Sequence, residues 1–143
     1  MESEGCSCIA IGQSAGQTNQ GEIAIAIGVR AGSNSQGFGC IGIGQLAGGS
    51  SQGQIAVAIG NTSGRLSQGI QAVAVGGSAG EYYQGDNSVA VGSNAGSSAQ
   101  GTNAVAIGYL AGNTDQHQNS IIINATGSVL NSQTQSAFYA API

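Results

Sequence analysis

The side chains able to perform chemistry are few: six carboxylates, one histidine and three cysteines in 143 residues. Two carboxylates about 5–9.5 Å apart would suit glycosidic bond cleavage. Glu22 and Asp86 share a repeat position but lie four repeats apart, about 19 Å at roughly 4.8 Å per stacked turn, which is too far. Glu81 and Asp86 share one loop, yet no histidine or lysine accompanies them. Glycoside hydrolysis is therefore not expected.

The histidine and the cysteines do not form a second kind of reactive site. His117 alone provides no Ser/His, Cys/His or multi-histidine metal set within one chain. Cys8 and Cys40 hold the same repeat position two turns apart, about twice the Cα span of a disulfide. We therefore predict that Cys6, Cys8 and Cys40 are small buried residues rather than bridges or ligands. The sequence predicts no enzyme, no cofactor and no metal.

The element that positions every one of these side chains is a repeat of 16 residues. Its unit reads [IV]-A-[IV]-G-x-x-A-G-x-x-x-Q-G-x-x-[ASC], without insertions. The β-branched pair two residues apart is typical of a strand, and the glycines that follow mark corners. The sequence predicts an all-β parallel solenoid, or β-roll, of about seven such turns between residues 9 and 120, after a lead-in of residues 1–8.

The two faces of the predicted strand differ in side-chain size. One carries the large Ile and Val residues, which we expect inside the coil. The other carries small residues where an exposed strand would normally carry Thr, Lys, Glu or Arg. We expect this small face to pack against other copies of the chain, with a subunit interface of Ala10, Ala26, Ala58, Ala74, Ala90, Ala106 and Ile122.

One glutamine recurs in every turn while the three residues before it vary freely. Stacked side-chain amides can donate and accept along the axis, as in the amide ladders of cross-β structures. The sequence therefore predicts a structural ladder of Gln20, Gln36, Gln52, Gln68, Gln84, Gln100 and Gln116.

Composition and charge exclude several partner classes. The net charge is −4, and Arg30 and Arg65 are the only cationic side chains besides His117, so no basic patch for nucleic acid is expected. No apolar stretch is long enough to span a bilayer. The acidic start MESEGCSCIAIG does not resemble a signal peptide, so we expect a soluble chain made in the cytosol.

The units IAIAIGVRAG, NSVAVGSNAG and NAVAIGYLAG resemble the SVAIG-type repeats in the head domains of trimeric autotransporter adhesins, and their relatives in fibre and tail proteins of bacteriophages and large DNA viruses. The segment NSIIINATGSVLNSQTQSAFYAAPI, residues 119–143, is similar to the NSIVINATG…FYVxPI signature that closes such arrays in viral fibre-like proteins. The resemblance implies a homotrimer of left-handed parallel β-rolls. The turn of 16 residues is longer than expected for the adhesin head, and the self-cleaving chaperone domain that often comes after this signature in the family does not follow Ile143.

The C-terminal segment departs from the repeat. Large residues replace the small one at Ile122, and the expectation is that residues 121–143 leave the coil as a cap. Ile122, Val129, Leu130, Phe138 and Tyr139 would then pack between chains and cover the last strand edge.

These observations favour a structural fibre or adhesin module, a rigid trimeric shaft or head that projects from a virion or other extracellular surface. A host-surface glycan or protein is the expected partner besides the chain itself, with Arg65, Glu81, Tyr82 and Tyr83 as receptor contacts; ordinary solvated corners are the alternative. Two other interpretations are a bacterial trimeric adhesin head fragment and an ice-binding solenoid. The second would require a threonine-rich column, and none is present.

Overall fold

The computed structural model describes residues 7–143, and within that range the regular structure consists of β-strands without a helix. Each strand is short because a corner follows after three or four residues. The strands are β1 Ile9–Ile11, β2 Thr18–Gln20, β3 Ile25–Ile27, β4 Asn34–Gln36, β5 Ile41–Ile43, β6 Ser50–Gln52, β7 Val57–Ile59, β8 Leu66–Gln68, β9 Val73–Val75, β10 Tyr82–Gln84, β11 Val89–Val91, β12 Val105–Ile107, β13 Ile121–Asn124 and β14 Phe138–Ala141.

The strands form two parallel sheets. The larger has nine strands in the order β1-β3-β5-β7-β9-β11-β12-β13-β14, and the smaller has five in the order β10-β8-β6-β4-β2. Pairing joins residues one repeat apart, as Val89 to Val105 and Gln68 to Gln84. The predicted parallel β-solenoid with a spacing of 16 residues is confirmed, with about eight turns. The predicted lead-in lies mostly outside the described residues.

The assignment of inside and outside is the reverse of the prediction. Ala26, Ala58, Ala74, Ala90, Ala106 and Ile122 are fully buried within a single chain. Ala10 holds the same register position as Ala26 and is exposed in the first turn. The Ile and Val side chains that alternate with these residues point outward. The predicted subunit interface is therefore wrong, because a side chain already enclosed by its own coil is not available to another chain.

Tight corners and close stacking explain why the strand positions that face inward carry alanine in most turns. Each turn places non-glycine residues at positive φ, for example Ile55 at 58° and Thr62 at 55°. At Gly60, with φ near 130°, an added Cβ would lie 2.5 Å from the carbonyl oxygen of Gly76. Backbone hydrogen bonds to the next turn, such as Gly76 N to Ile59 O at 2.8 Å, hold this close stacking. The coil is consequently too narrow for two columns of Ile and Val.

The chain does not leave the coil at residue 121, contrary to expectation. Strand β13 pairs in register with β12, and β14 pairs with β13, with Ile121 opposite Phe138. Ile122 lies in the interior, in a cluster of buried alanines against which Leu130 and Tyr139 pack. Ile122 therefore fills interior space at a position where most earlier turns carry alanine. It does not lie between chains.

Candidate functional site

The outer surface of the nine-stranded sheet carries two columns of large apolar side chains. We call it the strand face. Its length across nine strands is about 38 Å, from eight spacings of roughly 4.8 Å. Its members are Ile9, Ile11, Ile25, Ile27, Ile41, Ile43, Val57, Ile59, Val73, Val75, Val89, Val91, Val105, Ile107, Ile121, Ile123 and Phe138.

The strand face is apolar from end to end. Ile107, Ile121 and Ile123 are 41%, 42% and 43% exposed, and Phe138 is exposed at the last strand. With its two columns about 10 Å wide in all, the face covers about 400 Å², within the size range of the largest apolar patch on a typical monomer. The largest apolar patch on a monomer is often functional.

The glutamines lie inside the coil, opposite the strand face. Gln100 is 2% exposed and donates from Nε2 to the carbonyl oxygen of Val89 at 2.9 Å and to Oε1 of Gln116 at 3.1 Å. It accepts from Nε2 of Gln84 at 3.1 Å. Each glutamine from Gln36 to Gln116 makes the same bond to a strand carbonyl of its own turn.

The direct amide-to-amide bonds are less regular than these strand contacts. Gln36 donates to Gln52 at 3.2 Å, whereas the buried Oε1 atoms of Gln36, Gln68 and Gln84 have no hydrogen-bond partner among the described residues. The glutamines therefore bridge the two sheets within each turn, and in places they also link one turn to the next. The sequence prediction missed the bridge within the turn.

Three of the four predicted receptor contacts come together on neighbouring turns. Arg65 Nη1 donates to Glu81 Oε1 at 3.0 Å and to the hydroxyl of Tyr82 at 3.1 Å. The guanidinium also lies 5.3 Å from the centre of the Tyr82 ring. Tyr83 is apart from this group and 65% exposed. Glu81 is thus largely occupied by Arg65, and Arg65 is held in one orientation.

A groove of about 260 Å³ adjoins this cluster at Arg65 and extends over the preceding turns, along strands β4, β6 and β8 of the five-stranded sheet. Both arginines contribute to it. Its lining residues are Arg30, Ser33, Asn34, Leu46, Gly49, Ser50, Arg65 and Leu66. Sequence reasoning missed Arg30; the signal available was that the only two arginines of an acidic chain hold nearby repeat positions.

The cysteines differ from one another. Cys40 is a free, buried thiol that donates to the carbonyl oxygen of Gly53, and burial raises its pKa above the usual 9.0. Cys8 is disulfide-bonded, so the prediction that it would be an unbridged small residue is wrong. The prediction considered only a bridge between Cys8 and Cys40, which the distance along the coil excludes.

Comparison with known proteins yields no relative: no family model, curated protein or solved structure matches the chain. Residues 7–143 contain no group of three or more His, Cys, Asp or Glu side chains arranged to hold a metal ion. The same residues contain no helix that is long and apolar enough to cross a membrane.

Proposed function

We propose that this chain is a structural fibre or adhesin module that assembles as a homotrimer through the strand face. In this role it forms a rigid shaft or head projecting from a virion or another extracellular surface, and its corners are presented to a host-surface glycan or protein. The observation that carries the proposal is the strand face, an uninterrupted apolar surface along the whole coil.

The occupant of the strand face is a second and a third copy of the same chain. Burying apolar surface stabilises association by about 25 cal/mol per Å². Because the columns repeat at the strand spacing, the same surface on another copy has matching ridges and grooves when the two coils run parallel. A face only two side chains wide suits a closed ring of few copies around a shared axis. The number three comes from the resemblance to SVAIG-type head domains.

The end of the coil supports the same role. Leu130 and Tyr139 pack against the buried cluster that contains Ile122, and the Tyr139 hydroxyl accepts backbone hydrogen bonds from Gln133 and Thr134, each at 3.0 Å. We infer that this segment is a C-terminal cap that covers the core of the last turns, because an uncovered solenoid end invites further strand addition. Phe138 extends the strand face and packs between chains in the trimer.

Molar mass in solution tests the proposal. Light scattering should give about 42 kDa, three times the chain mass of 13.9 kDa. Val91→Asp places a charge on the strand face and should yield a folded monomer, since an unpaired buried charge opposes association. Thr18→Asp adds the same charge to exposed strand β2 and should leave the mass unchanged.

A monomeric wild-type protein would contradict the proposal. So would a Val91→Asp protein of unchanged mass. Circular dichroism of both variants distinguishes lost assembly from lost folding, because Val91 is partly exposed and its replacement should preserve the β-sheet signal of the coil.

A further inference from the structure

We propose that the groove between Arg30 and Arg65 binds an acidic sugar by its carboxylate or sulfate group. The biological meaning of such a ligand, a host-surface glycan, rests on the proposed function. The binding itself is a property of one chain, since every lining residue belongs to the same coil.

Charge is the first argument. The chain carries a net charge of −4 and has two arginines and no lysine, yet both arginines line this one groove. Glu81 offsets part of the charge through its ion pair with Arg65. The groove retains an excess of one positive charge, and the sequence contains no Lys or Arg besides these two. An anion is therefore the ligand that the electrostatics favour.

The guanidinium groups of Arg30 and Arg65 differ in how many of their N–H groups are free to bind a ligand. Arg30 is exposed, and its side chain makes no ion pair or hydrogen bond to any of residues 7–143. Arg65 bonds to Glu81 and Tyr82 through Nη1 alone, which leaves its other N–H groups without a partner in the described chain. Arginine binds planar carboxylates and tetrahedral oxyanions through paired N–H groups. One arginine is thus held in place by its neighbours, and the other is free to close on the ligand.

Gly49 lies in the floor of the groove, and its repeat position holds Ser33 one turn earlier and Arg65 one turn later. It is buried, and an added Cβ would lie 3.0 Å from the carbonyl oxygen of Leu46 and 3.5 Å from that of Arg65, so a larger residue would press on the backbone that lines the groove. Ser33 is buried and donates from Oγ to the carbonyl oxygen of Gly49 at 3.1 Å, which holds the floor in place.

The lining suits a sugar as well as its acid group. Asn34 and Ser50 offer polar side chains, and Leu46 and Leu66 offer apolar surface. Sites for small ligands combine apolar walls with a few polar groups that fix orientation. The volume of about 260 Å³ is below the roughly 300–1,000 Å³ of pockets for drug-sized ligands. One sugar ring with its acid group would fit into the groove, and a longer glycan would extend along the surface.

Isothermal titration calorimetry with three probes tests the inference. The probes are 3′-sialyllactose for a carboxylate, N-acetylglucosamine 6-sulfate for a sulfate, and lactose as the neutral control. At least one acidic probe should bind at low salt, more weakly as salt is added because charge attraction is screened. Lactose should not bind. The two acidic probes identify which oxyanion the groove accepts.

Variants locate the site. Arg30→Gln and Arg65→Gln should each weaken binding about tenfold or more, the usual effect of removing a charge-assisted hydrogen bond. Arg30→Lys should restore part of the loss. Asn94→Asp is the matched control, because it holds the repeat position of Arg30 four turns later and changes the net charge equally. It should bind as the unmodified protein does.

The inference is overturned if neither acidic probe binds, if lactose binds equally, or if Arg30→Gln and Asn94→Asp behave alike. The Val91→Asp protein separates this result from the assembly proposal, because the groove lies within one chain and a monomer should still bind. A wild-type protein that is monomeric and binds the acidic probe would contradict the assembly proposal alone. A trimeric wild-type protein that does not bind would contradict only the groove proposal.

Discussion

Gly96 and Gln100 lie against each other so closely that a Cβ on Gly96 would be 2.7 Å from Cδ of the glutamine. The same relationship holds between Gly48 and Gln52, where the corresponding distance is also 2.7 Å. The glycine makes room for the buried amide, and the amide fills the space that the glycine leaves. The two most regular columns of the repeat are thus parts of one packing arrangement.

Gly96→Ala should lower the free energy of unfolding by about 2–4 kcal/mol, from a strained left-handed backbone and from overpacking. Gly96 has φ of 52° in addition to the contact with Gln100. Gly77→Ala is the matched control, because nothing lies within 4 Å of its added Cβ, and it should change stability by no more than about 0.5 kcal/mol. Guanidinium unfolding measures both. Equal effects would show that the amide does not occupy the space beside Gly96.

Gln100→Met should cost about 2–4 kcal/mol, because it removes the buried bonds to the Val89 carbonyl and from Gln84, and it leaves Oε1 of Gln116 without its donor. Methionine keeps the length of the side chain and removes the hydrogen bonds. Gln54→Met replaces an exposed glutamine and should be nearly neutral. Urea unfolding midpoints of the two variants measure the difference in stability. A Gln100→Met protein as stable as Gln54→Met would contradict the role of the buried amide.

Ile122→Ala should cost about 2–4 kcal/mol through the cavity that it leaves beneath Leu130 and Tyr139. The change restores the residue that the repeat carries in most earlier turns, so a sequence argument alone would expect little effect. Ile123→Ala, on the strand face next to it, should cost the isolated chain far less because Ile123 is 43% exposed. Thermal unfolding of the Val91→Asp background measures both without the contribution of assembly.

Ile55→Asn should stabilise the chain by about 0.5–1 kcal/mol, because a β-branched residue at positive φ is strained and asparagine tolerates that conformation. Ile55 has φ of 58°, and its repeat position is occupied by Asn103 and Asn119, whose side chains hydrogen-bond at 3.1 Å. Ile59→Asn makes the same exchange in strand β7 and should destabilise. A lower melting temperature for Ile55→Asn than for the parent would contradict the strain argument.

Cys40 should react with thiol reagents at pH 8 only when the chain unfolds, because burial keeps the thiol protonated. Its pKa is raised in the folded state, so the fold holds this proton more tightly than the unfolded chain does. The contribution to stability is complete below the ordinary thiol pKa and is lost as pH rises through the folded pKa. Cys40→Ser, with the residue found at Ser88 and Ser120, should remove that alkaline decline. Labelling rates equal to those of a free thiol would refute the prediction.

The repeat by itself determined the period, the parallel pairing and the alignment of Gln84 with Gln100. An array without insertions permits one register, because any shift would misplace every glycine corner against the next turn. The order of residues also determined that each strand has large side chains on one face and small side chains on the other. These properties depend on the order of residues along the chain.

Which face lies inside was decided only by the tertiary structure. Alternation with period two is the same whether the large or the small side chains point inward. The width of the coil makes the choice, and the width depends on left-handed corners at residues such as Ile55 and Thr62, which nothing in their type indicates. The groove has the same origin: Arg30 and Arg65 line one groove because the coil rises by only about 4.8 Å per turn, which brings residues of successive turns side by side.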